Sequence, residues 1–356
     1  MSDPRVKKLA SILVHHSLGV KKGETVLIGA SSELAKPLVI EVYREVMAAG
    51  AHPLTSIAFE ETSNIYYELA TKEQLKNFPK IKLYEAKNVD CVVNIRASAN
   101  KKALSNVDPG AMAERSKVLR PISEEIVNRK RWILCNFPTN GLAQEADMSL
   151  EEYEAFLYGA TNIDWNKVKA KEMALKRALD KANEVRLVGK DTDLKISIKG
   201  RKAIPCYGER NMPDGEVFLS PVEDSAEGHI YYEMPAIYQG REVLGIRLTF
   251  KKGKVVEAGA DKNEKFLLTM LDTDPGARFL GELGVGVNYG IQQFSKDILF
   301  DEKIGGTVHL AVGRSYEEAG GKNISAIHWD MIKDLRTGGA IYLDGKAIQK
   351  NGKFLI

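Results

Sequence analysis

Cysteine is scarce in this chain. Cys91, Cys135 and Cys206 are the three among 356 residues, and no two of them form a CxxC pair. Such a sparse set offers neither a disulfide framework nor a thiolate zinc knot, and it reads as reduced thiols in a reducing compartment. Glutamine occurs only six times, a depletion of thermolabile amides of the kind found in thermophiles. No apolar run approaches the roughly 20 residues that cross a bilayer. No leader pattern follows Met1-Ser2-Asp3-Pro4, so the cytoplasm is the expected address and a membrane is not an expected partner. Neither sign of charge dominates: 51 Lys and Arg face 48 Asp and Glu, a net charge of +3. A balance so weak and diffuse argues against nucleic acid as a partner. The sequence also lacks GxGxxG and GxxxxGK[ST] patterns, which leaves Gly29-Ala30-Ser31-Ser32 as a plain strand-to-helix turn rather than a phosphate cradle.

A hydrophobic fraction of 44% and a charged fraction of 28% suit a globular protein with a sizeable core, and the length suits two domains. Val6, Leu9, Ala10, Leu13 and Val14 repeat at helical spacing, as do Leu34, Leu38, Val39, Val42 and Val46. Short buried-strand runs stand between such patterns: Thr25 to Gly29, Pro53 to Phe59, Cys91 to Ile95 and Trp132 to Cys135. Strands alternating with helices predict right-handed crossovers and a largely parallel sheet. Ser149-Leu150-Glu151-Glu152 matches a capping box, and a long helix is expected from Trp165 to Ala182. After it the texture changes to short β-type runs, with Lys251-Lys252-Gly253 as a hairpin loop. The expected organisation is an α/β domain over residues 1–184 with a largely parallel sheet, then a β-rich α+β domain over 185–356.

The chemistry concentrates in the second half. Glu216 follows Pro213-Asp214-Gly215 at a turn-to-strand junction, where a side chain can be aimed. Glu282 stands alone among small and apolar residues in Gly281-Glu282-Leu283-Gly284-Val285-Gly286. A buried acid there is costly unless it is paired or bound to a cation. His309 lies within an apolar strand-like run that leads to Tyr316. His328 and Asp330 are two apart, so in an extended chain both face one side. Taken singly, each is most simply a core or turn residue; together they are the donors of a metal site. Glu216, Glu282 and Asp330 contribute −3, two divalent cations +4 and a bridging hydroxide −1, a sum of zero that suits burial. Mixed oxygen and nitrogen ligands fit zinc, cobalt or manganese. His15-His16 does not compete, since adjacent helical residues diverge by about 100°. His52, in a loop without an acidic neighbour, is read as structural.

The segments NMPDGEVF, GELGVGVN, HLAVGRSY and NISAIHWD resemble those of the aminopeptidase T/aminopeptidase S family, the thermophilic leucyl metallo-aminopeptidases. The likeness covers most of the chain. It implies a dinuclear metallo-aminopeptidase acting on short peptides, with Glu216, Glu282, His309, His328 and Asp330 as metal ligands. Tyr316 and Glu282 are the implied catalytic residues, Tyr316 donating a hydrogen bond to the developing oxyanion. It also implies a homodimer. Asp214 departs from the family pattern, which has a small residue there. A metal-dependent hydrolase of another amide or ester, or a non-enzymatic metal-binding module, is the alternative reading. The general base is left open, with Glu317 and Glu318 near in sequence.

Overall fold

The computed structural model describes residues 3–356. Its contacts divide the chain into two compact units, residues 1–163 with 208–213 and residues 164–207 with 214–356.

The first unit is built on a parallel sheet. Strand β1 spans Thr25–Ala30, β2 His52–Ile57, β3 Cys91–Arg96 and β4 Arg131–Asn136. With Ile204–Cys206 taken as β5 and Asn211–Met212 as β6, the order across this sheet is β2-β1-β3-β4-β6, every pair parallel. Val26, Leu27 and Ile28 of β1 are buried, as are Cys91, Val92 and Val93 of β3. Apolar residues on consecutive positions are what a strand covered on both faces requires. The expected helices form over Pro4–Ser11, continuing as a wider turn to Ser17, and over Lys36–Ala48. Their inward stripes, Leu9 and Leu13 on one and Leu38, Val42 and Val46 on the other, have no solvent exposure. Asp3 opens the first helix, its carboxylate accepting from the Arg5 amide at 2.8 Å with Pro4 in the first turn. The capping box at Ser149 is present in both directions, Glu152 N to Ser149 Oγ at 3.2 Å and Ser149 N to Glu152 Oε2 at 2.8 Å. At the Gly29 turn, the Ser31 amide donates to Ile95 O at 2.9 Å and the Leu34 amide to Ser32 Oγ at 3.3 Å. Those amides already have partners, in keeping with a plain turn.

The second unit begins with the helix Trp165–Leu179, somewhat shorter than its apolar pattern suggests. An eight-stranded antiparallel sheet follows, in which Ile246–Lys251 and Lys254–Gly259 form the expected hairpin around Lys252-Gly253. A separate antiparallel sheet carries the acids and histidines singled out above. Its strands are β7 (Glu216–Leu219), β8 (Leu280–Gly286), β9 (Thr307–Gly313) and β10 (His328–Asp334), in the order β10-β9-β8-β7-β5. Both β8 and β9 are buried at all seven positions.

The core of the first unit sets one expectation. Ile28→Ala deletes fully buried atoms from a central strand and should lower stability by about 2–5 kcal/mol. Thr55→Ala, on the exposed β2, should stay within about 0.5 kcal/mol. Urea midpoints of the two variants check the contrast.

Candidate metal centre

Register brings the singled-out side chains together. Across β7 and β8 Glu216 pairs with Gly286; across β8 and β9 Gly284 pairs with His309 and Glu282 with Ala311. Across β9 and β10 Ala311 pairs with Asp330 and Gly313 with His328. Directly paired residues point to the same face of a sheet, and residues two apart along a strand do too. Glu216, Glu282, His309, His328 and Asp330 therefore share one face of four adjacent strands.

The local sequence explains how each is aimed. Gly215 has φ +117°, and a Cβ there would lie 2.6 Å from Asn288 Cβ, so only glycine turns the chain into β7 at this point. Asn288 Nδ2 donates to the Asp214 carbonyl at 2.8 Å and ties this turn down. Asp214 itself is 1% exposed, so the departure from the family pattern places an acid inside the fold rather than disturbing the turn. The His309 Nδ1–H donates to the Glu302 carbonyl at 2.9 Å and the His328 Nδ1–H to the Arg314 carbonyl at 2.7 Å. A carbonyl can only accept, so each ring keeps its proton on Nδ1 and presents Nε2 to the acids.

Those nitrogens meet a shared carboxylate. His309 Nε2 lies 3.1 Å from Glu216 Oε2 and 3.4 Å from Glu282 Oε1. His328 Nε2 lies 3.2 Å from Glu282 Oε2 and 3.5 Å from Asp330 Oδ2. Two donor trios result, Glu216-Glu282-His309 and Glu282-His328-Asp330, each with its ligand atoms within 4.8 Å of one another and with Glu282 common to both. The sites differ in access: the His309 side chain is 1% exposed, those of His328 and Asp330 16% and 14%. The Tyr316 ring packs edge-on against the His328 imidazole, centroids 5.1 Å apart, and against Phe218 at 5.5 Å.

Two further trios adjoin these, Cys206-Asp214-Glu216 and Glu302-His309-Asp330. Beside them Lys303, with no exposed surface, places Nζ 3.5 Å from Glu216 Oε1 and in hydrogen-bond contact with Glu302 Oε1. Sequence reasoning missed Glu302 and Lys303. The signal available was a run of three charged residues, Asp301-Glu302-Lys303, shortly before the apolar strand that holds His309. The remaining sequence candidates lie elsewhere among the described residues. His15 pairs with Glu45 at 2.8 Å on the surface. Glu317 and Glu318 form an exposed turn and belong to none of the four trios.

The electrostatics fit a cation. Burial works against the charged forms of His309 and His328. Hydrogen bonds and charge from Glu216 and Glu282 nevertheless hold His309 well above its ordinary value. Asp330 and Glu282 hold His328 at about 11. Burial alone would raise Glu216 and Asp330, yet each is lowered: Glu216 chiefly by Lys303 and His309, Asp330 chiefly by His328. Glu216 and Asp330 thus draw positive charge from whatever stands near. Divalent cations satisfy that demand, and the oxygen and nitrogen donors of the two central trios suit them. A closed structural zinc site is expected to be rich in cysteine, and neither central trio contains one.

The comparisons with known proteins agree with this chemistry. The family model for thermophilic metalloproteases (M29) matches residues 2–354. Aminopeptidase AmpS of Bacillus subtilis (strain 168) is 26% identical, with 98% of each chain covered. Aminopeptidase T of Thermus thermophilus is 29% identical over 88% of this chain and 85% of its own. The solved structure of wild-type AmpT from Thermus thermophilus superposes with a TM-score of 0.84 over 99% of both chains at 24% identity, and so shares the fold. A 2,5-dihydroxypyridine dioxygenase from Pseudomonas putida KT2440 shares it more loosely, at a TM-score of 0.61 and 16% identity.

Gly284 offers a test of the geometry. A Cβ there would sit 2.0 Å from both Cε1 and Nε2 of His309. Gly284→Ala should rotate the imidazole away from Glu216 and Glu282 and weaken metal binding by about tenfold or more, while circular dichroism stays native. Retention of wild-type metal affinity by the folded variant would refute the placement of His309.

Proposed function

This chain belongs to the thermophilic metalloprotease family M29, and from that premise we propose that it is an aminopeptidase that removes N-terminal residues from short peptides with two divalent cations. The observation that carries the two-metal reading is the pair of donor trios sharing Glu282. Glu216 and His309 would hold one cation, His328 and Asp330 the other, and Glu282 would touch both. Zinc, cobalt and manganese fit the donors. When bound, such a pair supplies Lewis acidity at a scissile carbonyl and a water of lowered pKa at neutral pH.

The protein's own side chains do the rest. The carbonyls of Glu302 and Arg314 fix both imidazoles, so neither ring must reorganise during turnover. Burial, followed by the charges of Glu282, Asp330 and Glu302, pushes the Tyr316 phenol up. Tyr316 therefore stays protonated at neutral pH and can donate to the oxygen on which negative charge develops. Glu282 orients both trios from β8. The partly exposed His328 and Asp330 mark the side from which a peptide would enter, and the free α-amine of the substrate would sit there. The proposal includes a homodimer, as the resemblance implies, and a cytoplasmic address. Three free cysteines suit a reducing compartment, and no helix among the described residues is long and apolar enough to cross a membrane.

Metal dependence is the first test. Exhaustive chelation should abolish hydrolysis of a leucyl chromogenic substrate, and zinc, cobalt or manganese should restore it; full activity in verified metal-free protein would sink the proposal. Glu216→Ala, Glu282→Ala, His309→Ala and Asp330→Ala should each lower kcat/KM on the order of a hundredfold or more, while His15→Ala stays near wild type. A comparable loss at His15 would mean that the site is misassigned.

Specificity for the N-terminus is the second. An acetylated amine cannot occupy the same position, so N-acetyl-leucyl substrates should be nearly inert where free leucyl substrates turn over. Equal rates on the two would point to an endopeptidase or a general amidase.

A further inference from the structure

The proposed centre uses five donor side chains and leaves beside it, without a task, the fully buried Lys303 and the half-buried Glu302. Glu302 offers a carboxylate to the trio Glu302-His309-Asp330, within the same 4.8 Å that defines the central trios. Its two companions in that trio are proposed ligands of different metals. By position alone, Glu302 is as well placed to ligate as Glu216. What distinguishes it is Lys303, whose ammonium is bonded to Glu302 Oε1 and lies 3.5 Å from Glu216 Oε1. Glu216 belongs in turn to the other adjoining trio, with Cys206 and Asp214. Each trio outside the central pair thus contains one acid that Lys303 touches.

We propose that Lys303 is a positioning residue that engages the Glu302 carboxylate and withholds it from the metals. The inference rests on the two-metal reading above. A protonated amine has three donors and no lone pair, so it occupies carboxylate oxygens without ligating a metal itself. Charge supports the assignment. With both ionised, Glu302 and Lys303 contribute −1 and +1, so the ion pair leaves unchanged the balance struck by Glu216, Glu282, Asp330, two dications and one hydroxide. Coordination supports it as well. A catalytic metal keeps a position open for water or substrate, and one more carboxylate would fill it. Glu302 keeps a different task through its backbone, where its carbonyl holds His309 Nδ1.

The test compares metal affinity in the full-length wild type, Lys303→Met and the double variant Lys303→Met/Glu302→Gln. Zn2+ is titrated against a chromophoric chelator, with kcat and KM recorded alongside. Lys303→Met frees the carboxylate and should bind Zn2+ about tenfold or more tightly than wild type, with kcat reduced more than KM is changed. The double variant, which removes acid and base together, should return to wild-type affinity. Stripped Lys303→Met protein that does not fold is covered by a second measurement. Chelator-driven release of Zn2+ from the loaded variant should be slower than from wild type, and again normal in the double variant. Unchanged or weaker binding by Lys303→Met would overturn the proposal. So would a double variant as tight as Lys303→Met, since the effect would not then pass through Glu302. Wild type binding fewer than about two equivalents would instead refute the two-metal reading, whereas the claim about Lys303 is read from differences between variants.

Discussion

Everything in the centre depends on fitting five large polar side chains onto one face of a sheet whose strands are about 4.8 Å apart. Neighbouring strands at that spacing cannot both present bulky groups at directly paired positions and leave room for ions between them. The sheet solves this by alternation. Gly286 stands opposite Glu216, Gly284 opposite His309, and Gly313 opposite His328; Ala311 stands between Glu282 and Asp330. Each donor has a residue with little or no side chain opposite it on at least one neighbouring strand, while on their other sides Glu216 faces Cys206 and His309 faces Ile332. The cost is extreme sensitivity at the small positions, since even one methyl group at Gly284 would overlap the His309 ring.

Burial sets the second constraint. Glu216 and Glu282 are 6% and 5% exposed, and a carboxylate so placed is tolerated only beside compensating charge. The protein supplies part of that compensation permanently through Lys303 and leaves the rest to mobile cations. On the proposal made above, Lys303 also explains why a site holding more acids than the three proposed as ligands need not collapse into a different coordination pattern. The backbone takes the remaining burden: two carbonyls, not side chains, orient the histidines. Substitution of Glu302 or Arg314 therefore leaves those two hydrogen bonds intact so long as the local backbone holds.

Much of this was legible in the sequence because it obeys period-two geometry. His328 and Asp330 are two residues apart on a strand, and Glu282 stands isolated among glycines, so both announce themselves without a structure. The parallel sheet of the first unit was legible for a similar reason, as apolar runs such as Val26 to Ile28 are buried on both faces. Glu302 and Lys303 were not legible. They lie just beyond the four-residue helix Ile298–Asp301, outside any strand, and their partners Glu216 and Asp330 are remote in sequence. A charged run stands shortly before the His309 strand, but local pattern alone does not say that such a turn folds inward. Proximity in sequence misled in the opposite direction at Glu317 and Glu318, which follow Tyr316 yet form an exposed turn.

The back of the sheet is as much part of the centre as its front. Alternation along β10 puts His328 and Asp330 on one face and Trp329 and Met331 on the other. Trp329 is 1% exposed, stacked on Tyr238 at 5.3 Å and tilted against Phe266 at 6.0 Å. Strand β10 is the edge of its sheet, with ladder bonds on one side only, and an edge strand is free to fray or slip in register. A slip of one residue would exchange His328 and Asp330 for Trp329 and Met331 on the active face. The aromatic anchor makes that exchange prohibitive, because it would drive a buried indole in among the acids of the site and two charged groups into its apolar pocket. As proposed ligands on an edge strand, His328 and Asp330 would gain access for a substrate, and the packing behind them restores the rigidity that an edge position sacrifices.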